Sequence, residues 1–567
     1  MAVHAPDDVV RVRAHGLEWR VAAEFADALP SLAVGTLRDP KEPGEFQIVK
    51  DNRVRTVARA AWPGRQGGPG LYVKRFKLPG TGLRLKHLVV PTQAEKEWRV
   101  SRALVALGIP TSRALAVAVR RSGALPAEAF LVSEEIVGAE PLSGWLAAHA
   151  WPSVDARLRR ELTDELADLT GRMLSEGVCH NDLHAGNVLI IPDAPAGRRF
   201  CVVDLHRVRL GVVGARGAVR MMSFLADSTA RLGVGGRDRL RFLHRVLGWG
   251  IGRHDARYWP LRTWAERVRV QWEKHRRRYT HRRTYRCLRK GPLFTRERAG
   301  GFRIFRRRGI AAADLLALAD MHRRAVAGEA NACQVRKAAT RTQISVCPGP
   351  GGRRFLVKAF LRTSAYERLK DLVRPCGRAR DAWIAHRGFC VRGVPTPEAI
   401  ALLEATGKLS GRPDYVIMEA LDVVGDLRQI VFGLAPDGSR RDGPALGPQE
   451  RRELPLAIAD LFCLLAERQV RHRDMKPSNI LITRDASGLR LWLVDLERAQ
   501  FDWRWRREHW IHHLAQCNAG LPANVTILER MRCLRRCGQG RWTPQERLHI
   551  AREILAASLR RGAKWLT

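Results

Sequence analysis

Apolar residues along this chain fall into two periods, and each pattern occurs twice. Leu71-Tyr72-Val73-Lys74-Arg75-Phe76 and Phe355-Leu356-Val357-Lys358-Ala359-Phe360 are short apolar runs, each carrying one Lys, at an offset of 284 residues. Such runs predict strands, as do residues 130–135 and 414–419. Leu162, Leu166, Leu169 and Met173 are spaced 4, 3 and 4 residues apart, and Leu454, Ile458, Leu461 and Leu465 repeat that spacing. A period of 3.6 places each set on one buried helical face. After each helix come a polar loop, an apolar strand (188–191 or 480–482), a turn and a second apolar strand. Trp98 with Gly108-Ile109-Pro110-Thr111 is matched by Trp383 with Gly393-Val394-Pro395-Thr396 at an offset of 285. Two copies of one α+β unit are therefore expected.

The polar loops carry the chemistry. The first reads His180-Asn181-Asp182-Leu183-His184-Ala185-Gly186-Asn187, then Val203-Asp204-Leu205-His206-Arg207. The second reads His472-Arg473-Asp474-Met475-Lys476-Pro477-Ser478-Asn479, then Val494-Asp495-Leu496-Glu497-Arg498. Asp182 and Asp204 are 22 residues apart, Asp474 and Asp495 are 21 apart. An Asp, an Asn five residues on and a strand-end Asp about 20 residues beyond suit phosphoryl transfer of the protein-kinase-like type. Asp182 and Asp474 would orient an acceptor hydroxyl and accept its proton. Asn187, Asp204, Asn479 and Asp495 would hold Mg²⁺ through hard oxygens. Lys74 and Lys358 would pair with the ATP phosphates as point charges. Glu97, directly before Trp98, is placed to pair with Lys74. The matching residue before Trp383 is Ala382, so the second site is expected to be impaired unless Asp381 or Glu367 substitutes. Lys476 stands where protein kinases place a Lys that contacts the γ-phosphate, and His184 takes that place in the first copy. Neither copy has a GxGxxG loop. The Gly-rich stretches 63–70 and 348–352 are read as turns before the lysine strands.

Composition sharpens the picture in two ways. The net charge is +42, but Lys supplies only 14 of the 99 basic residues. An Arg-, Ala- and Gly-rich chain points to coding bias more than to nucleic-acid binding, and an anionic membrane surface is the partner this charge favours. Fifteen Lys or Arg lie in 274–310, among them Arg276-Arg277-Arg278 and Arg306-Arg307-Arg308, with Phe and Tyr interleaved. This stretch is read as a solvated basic linker, giving domains at 1–275 and 311–567 around a linker at 276–310. The 11 cysteines show no zinc spacing and read as reduced thiols of a cytoplasmic chain. The amino terminus has no apolar core for a signal peptide, and no apolar run is long enough to span a membrane.

Both halves resemble the lipopolysaccharide core kinase family (Kdo kinase and heptose kinase type) of the protein-kinase-like fold. The carriers are Tyr72-Val73-Lys74-Arg75-Phe76, Trp98 with Gly-Ile-Pro-Thr, the His-x-Asp loops, and Asp-Leu-x-Arg at 204–207 and 495–498. Arg237-Asp238-Arg239-Leu240-Arg241-Phe242-Leu243 resembles the family's following helix. The resemblance covers about residues 40–250 and 325–535. It implies two tandem bilobal protein-kinase-like domains, with ATP and Mg²⁺ used to phosphorylate a sugar hydroxyl of a cell-envelope glycolipid at the inner face of the cytoplasmic membrane. Tandem duplication departs from the single-domain family pattern, as does Ala382. Three other readings compete. His472-Arg473-Asp474-x-Lys476 suits a protein serine/threonine kinase, although no Ala-Pro-Glu follows. Ala382 suits a regulatory pseudokinase half, and His180-Asn181-Asp182-Leu183-His184 suits a small-molecule kinase.

Overall fold

The fold is that of a computed structural model describing residues 9–563 except 33, 39–45, 53, 64–68, 79, 251–258, 330–331, 363–376, 407–410, 436–437, 442, 487 and 503. The chain divides into two compact units, residues 1–276 and 277–567.

The first unit opens with a seven-stranded antiparallel sheet. Its spatial order is Val9–Ala14, Leu17–Ala22, Ala114–Ser122, Leu125–Glu134, Leu71–Lys77, Arg55–Ala60 and Phe46–Asp51. The lysine strand is interior, with Lys74 opposite Leu131 on one side and Val57 on the other. Both sheet faces are covered. Trp19, Val21, Leu71, Val73 and Phe130 form a core on one face with Leu29 and Leu37, and Phe76, Val117 and Leu131 pack with Ala94 and Trp98 on the other. The helix Gln93–Ala106, carrying Ala94, Glu97 and Trp98, begins at a reciprocal cap between Thr92 and Glu95, which satisfies otherwise orphaned amides. The helical part follows. In Ala156–Ser175, Leu162, Leu166, Leu169 and Met173 are all buried, as the spacing predicts. They pack with the strands Val188–Ile190 and Phe200–Val202 and the helix Ala215–Arg231.

The second unit repeats this plan in the same strand order: Phe294–Ala299, Phe302–Arg307, Ala399–Ala405, Asp414–Glu419, Arg354–Phe360, Thr342–Pro348 and Gln334–Ala339. Its long helix is Pro448–Glu467, with Leu454, Ile458, Leu461 and Leu465 buried. Here the structure corrects the expected linker. Residues 276–284 close the helix Leu261–Thr284, and 294–307 form the edge hairpin of the second sheet. That hairpin repeats Val9–Ala22 of the first unit at an offset of 285. The aromatic residues between the arginines are its apolar half: Phe294, Ile304 and Phe305 are buried. Ile304 and Phe305 are neighbours buried in cores on opposite faces of the sheet, so abundant Arg around them leaves no alternating pattern to read.

The cysteine reading is corrected at one pair. Cys333 and Cys347 form a disulfide with Cα atoms 4.4 Å apart, because pairing of Gln334 with Val346 places the flanking residues opposite each other. Eight other described cysteines are free. No helix among the described residues is long and apolar enough to cross a membrane.

Candidate functional site

In both units the His-x-Asp loop is built on a buried, neutral histidine. His180 and His472 are fully buried, and burial lowers the pKa of each. His180 donates from Nε2 to the Val203 carbonyl at 3.2 Å, and its Nδ1 accepts the Asp182 amide at 3.2 Å. His472 does the same with Val494 at 2.8 Å and Asp474 at 3.4 Å. One ring nitrogen must therefore carry the proton and the other must not, which a neutral imidazole satisfies. The ring ties the His-x-Asp loop to the strand end that delivers the second aspartate. Asn187 and Asn479 add a second tie, their carbonyls accepting the Val203 and Val494 amides at 3.0 Å each.

Asn187 Nδ2 donates to the Asp182 carbonyl at 2.9 Å, and Asn479 Nδ2 to the Asp474 carbonyl at 2.8 Å. The amide oxygens of these two buried asparagines have no protein donor among the described residues. Each loop aspartate has a cation beside it, from a different source in each unit. Arg207 Nη1 lies 3.2 Å from Asp182, whereas Lys476 Nζ lies 3.0 Å from Asp474. His184, at the position of Lys476, accepts the Gly186 amide and shapes the loop instead.

The strand-end aspartates share a left-handed backbone, φ 63° and ψ 54° at Asp204 and φ 60° and ψ 54° at Asp495. This region is sparsely populated by non-glycine residues and concentrates at functional sites. A motif outside the loops positions them. The Pro110 carbonyl accepts the Val202 amide and the Pro395 carbonyl accepts the Leu493 amide, 3.0 Å each, so the Gly-Ile/Val-Pro-Thr turn pins the chain two residues before each aspartate.

Around the lysines the two units differ. In the first, Lys74 pairs with Glu97, which is 3% exposed. Asp204 receives Arg55 at 2.8 Å and His206 Nδ1 at 2.7 Å. Burial would raise the Asp204 pKa, but hydrogen bonds from His206 and Arg55 and the charges of Arg55 and Lys74 hold it well below the usual carboxylate range. Oxygens or nitrogens of Glu97, Asp204 and His206 lie within 4.8 Å of one another. In the second unit Lys358 reaches Asp495 at 2.9 Å and Glu497 at 2.9 Å. Burial pulls the Lys358 pKa down, but Glu497 and Asp495 overcome it, so the net shift is upward. Glu497 is thus a second carboxylate at Lys358, supplied by the loop rather than by the helix; Glu367, one of the expected substitutes for the missing helix glutamate, lies outside the described residues. Arg55 and Glu497 escaped sequence reasoning because their roles depend on strand register and loop path rather than on local spacing.

The turns that precede the lysine strand hairpins contain no glycine cradle. Strands Phe46–Asp51 and Arg55–Ala60 meet at a turn where Asn52 Oδ1 accepts the Val54 and Arg55 amides at 3.0 and 2.9 Å. In the second unit Thr340-Arg341 joins Gln334–Ala339 to Thr342–Pro348. The Gly-rich stretches 63–70 and 348–352 connect the next pair of strands, as the sequence suggests; residues 64–68 lie outside the described residues.

The sequence model of the lipopolysaccharide kinase (Kdo/WaaP) family matches this chain twice, over residues 81–245 and 354–518. Each match contains one complete His-x-Asp loop and its strand-end aspartate. The lipopolysaccharide core heptose(I) kinase WaaP of Pseudomonas aeruginosa is 27% identical over 253 residues, 43% of this chain and 93% of that protein. The enzyme of the same name from Escherichia coli K12 is 25% identical over 161 residues, 27% of this chain and 60% of that protein. A solved structure of WaaP in complex with acyl carrier protein is 24% identical, with a TM-score of 0.31, over 41% of this chain and 88% of that one.

Proposed function

Because the chain belongs to the lipopolysaccharide kinase (Kdo/WaaP) family and is an ATP-dependent kinase, we propose that each unit transfers the γ-phosphoryl group of ATP to a sugar hydroxyl of the lipopolysaccharide core. A heptose is the acceptor best supported, since the curated relatives are core heptose(I) kinases. The observation that carries the reading is the twofold occurrence of one constellation: a strand lysine whose charge acts on a left-handed aspartate, beside a loop Asp-Asn pair braced by a neutral histidine.

The roles follow from what each group can do. Asp182 and Asp474 orient the attacking hydroxyl and take its proton as the phosphorus–oxygen bond forms. Arg207 and Lys476, each about one hydrogen bond from its aspartate, are placed to steady charge on the transferring group. Lys74 and Lys358 neutralise the ATP phosphates, and Glu97 holds Lys74 in place. The donor set fits Mg²⁺: Asp204 or Asp495 supplies an ionised carboxylate, and Asn187 or Asn479 an amide oxygen with no protein donor among the described residues. When bound, that ion supplies charge neutralisation on the nucleotide phosphates. Arg55 and Lys358 hold these carboxylates ionised meanwhile.

The charge of +42 favours work against an anionic lipid surface. The helix Thr81–Val89 supports this reading, because it buries no side chain and exposes Leu85, Leu88 and Val89 beside Lys86. The test follows labelled γ-phosphate from ATP into an envelope fraction, with and without Mg²⁺. Label in glycolipid, and its dependence on Mg²⁺, is expected; label confined to protein would replace this reading with a protein kinase.

A further inference from the structure

The charges around the two lysines are exchanged in position, not lost. Lys74 faces Val57 and Lys358 faces Ile344 across the sheet. Arg55 and Thr342, opposite Phe76 and Phe360, are therefore equivalent. Alignment of Trp98 with Trp383 makes Glu97 and Ala382 equivalent, and the Asp-Leu-x-Arg motifs make His206 and Glu497 equivalent. In the first unit the strand supplies a cation (Arg55), the helix an anion (Glu97) and the loop an imidazole (His206). In the second the strand supplies only the Thr342 hydroxyl, and the helix Arg378–Arg392 supplies a cation. The loop supplies the anion, Glu497. Arg378 Nε lies 3.2 Å from Glu497, and its Nη2 donates to Thr342 Oγ1 at 3.2 Å.

From this exchange we propose that Glu497 is the positioning residue of a working nucleotide site in the second unit, holding Lys358 as Glu97 holds Lys74. This rests on the kinase reading and extends it to the half whose helix glutamate is missing. The physical need is specific. Lys358 is 9% exposed, and a buried ammonium requires a carboxylate partner. Without Glu497 its remaining carboxylate partner among the described residues would be Asp495, the carboxylate assigned to the metal. Lysine and metal would then compete for one anion. Glu497 supplies the second anion, so Asp495 is released to the metal while Lys358 stays charged and placed. Arg378 fixes the other Glu497 oxygen, linking the helix to the loop with the polarity reversed from the first unit.

The test uses the full chain with the first site silenced by Asp204→Asn, titrated with the fluorescent nucleotide mant-ATP over a range of Mg²⁺. On this parent, Glu497→Gln is expected to weaken nucleotide binding about tenfold and to raise the Mg²⁺ needed for half-saturation several-fold. Adding Ala382→Glu, which restores the first unit's helix carboxylate, is expected to recover most of both losses. Glu497→Asp, which keeps the charge and shortens its reach, should bind between parent and Glu497→Gln while melting like the parent. Unchanged affinity and Mg²⁺ dependence in Glu497→Gln would overturn the assignment, as would a double variant no better than Glu497→Gln. A parent that binds no nucleotide would instead overturn the kinase reading of the second unit, before any variant is compared.

Discussion

The Lys74–Glu97 pair yields the most quantitative prediction. Glu97 is 3% exposed and its second oxygen, Oε2, has no hydrogen-bond partner among the described residues; Lys74 is its ion-pair partner, and the Arg55 charge also acts on it. Two unit charges about 4 Å apart attract by about 4 kcal/mol at an effective dielectric near 20. Lys74 also lies near Asp204, whose pKa its charge lowers, so removing Glu97 leaves the ammonium with a second carboxylate. If roughly half of the attraction is retained that way, the coupling between Lys74 and Glu97 is about 2 kcal/mol. Glu97→Gln, Lys74→Met and the double variant form the cycle. Denaturant unfolding gives the stabilities, and ATP titration gives the affinities. Each single variant is expected to lose more than the double variant adds, with about 2 kcal/mol of non-additivity in stability. Additivity within about 0.5 kcal/mol would refute the pairing.

Three further outcomes follow from the same geometry. His386 and His513, buried in the second unit, are pushed down to about 4 and about 3 by burial. Unfolded histidines bind protons near pH 6.5, so their burial stabilises fully above that value and progressively less as pH falls through it. Each is expected to cost on the order of 2 kcal/mol by about pH 5, read as a falling melting temperature that His386→Asn blunts. Arg55→Ala removes the guanidinium 2.8 Å from Asp204 and is expected to lower the Mg²⁺ required by the first site a few-fold. A raised requirement would show that Arg55 assists the metal rather than competing with it. Gly171→Ala drives a methyl into the Trp249 ring, and Gly388→Ala drives one into Phe501. Each should cost about 1–3 kcal/mol of stability without changing catalytic residues, and unchanged melting would contradict that packing.

Much of the fold was legible because burial follows periodicity. The four-residue stripes before each loop and the two lysine strands lie where their apolar spacing places them. The loops were legible because phosphoryl transfer demands fixed residue types at fixed spacing. What escaped depends on partners distant in sequence. The 294–307 hairpin carries few apolar residues among arginines, and these divide between the two sheet faces, Phe294 on one and Ile304 on the other, so it shows no alternation. Arg55 reaches Asp204 across 149 residues, and Lys358 finds Glu497 rather than a helix glutamate. The Cys333–Cys347 pairing follows from hairpin register, which no cysteine spacing encodes.

Two lipopolysaccharide kinase sites are proposed to act in one chain. The most direct test is the mass of a dephosphorylated core oligosaccharide after reaction with ATP and Mg²⁺, using wild type, Asp182→Asn, Asp474→Asn and the double variant. Phosphate added by the wild type, a partial loss in each single variant, and none added by the double are expected. Full phosphorylation by the double variant would contradict the proposal, as would either single variant abolishing all of the product while the other leaves it untouched.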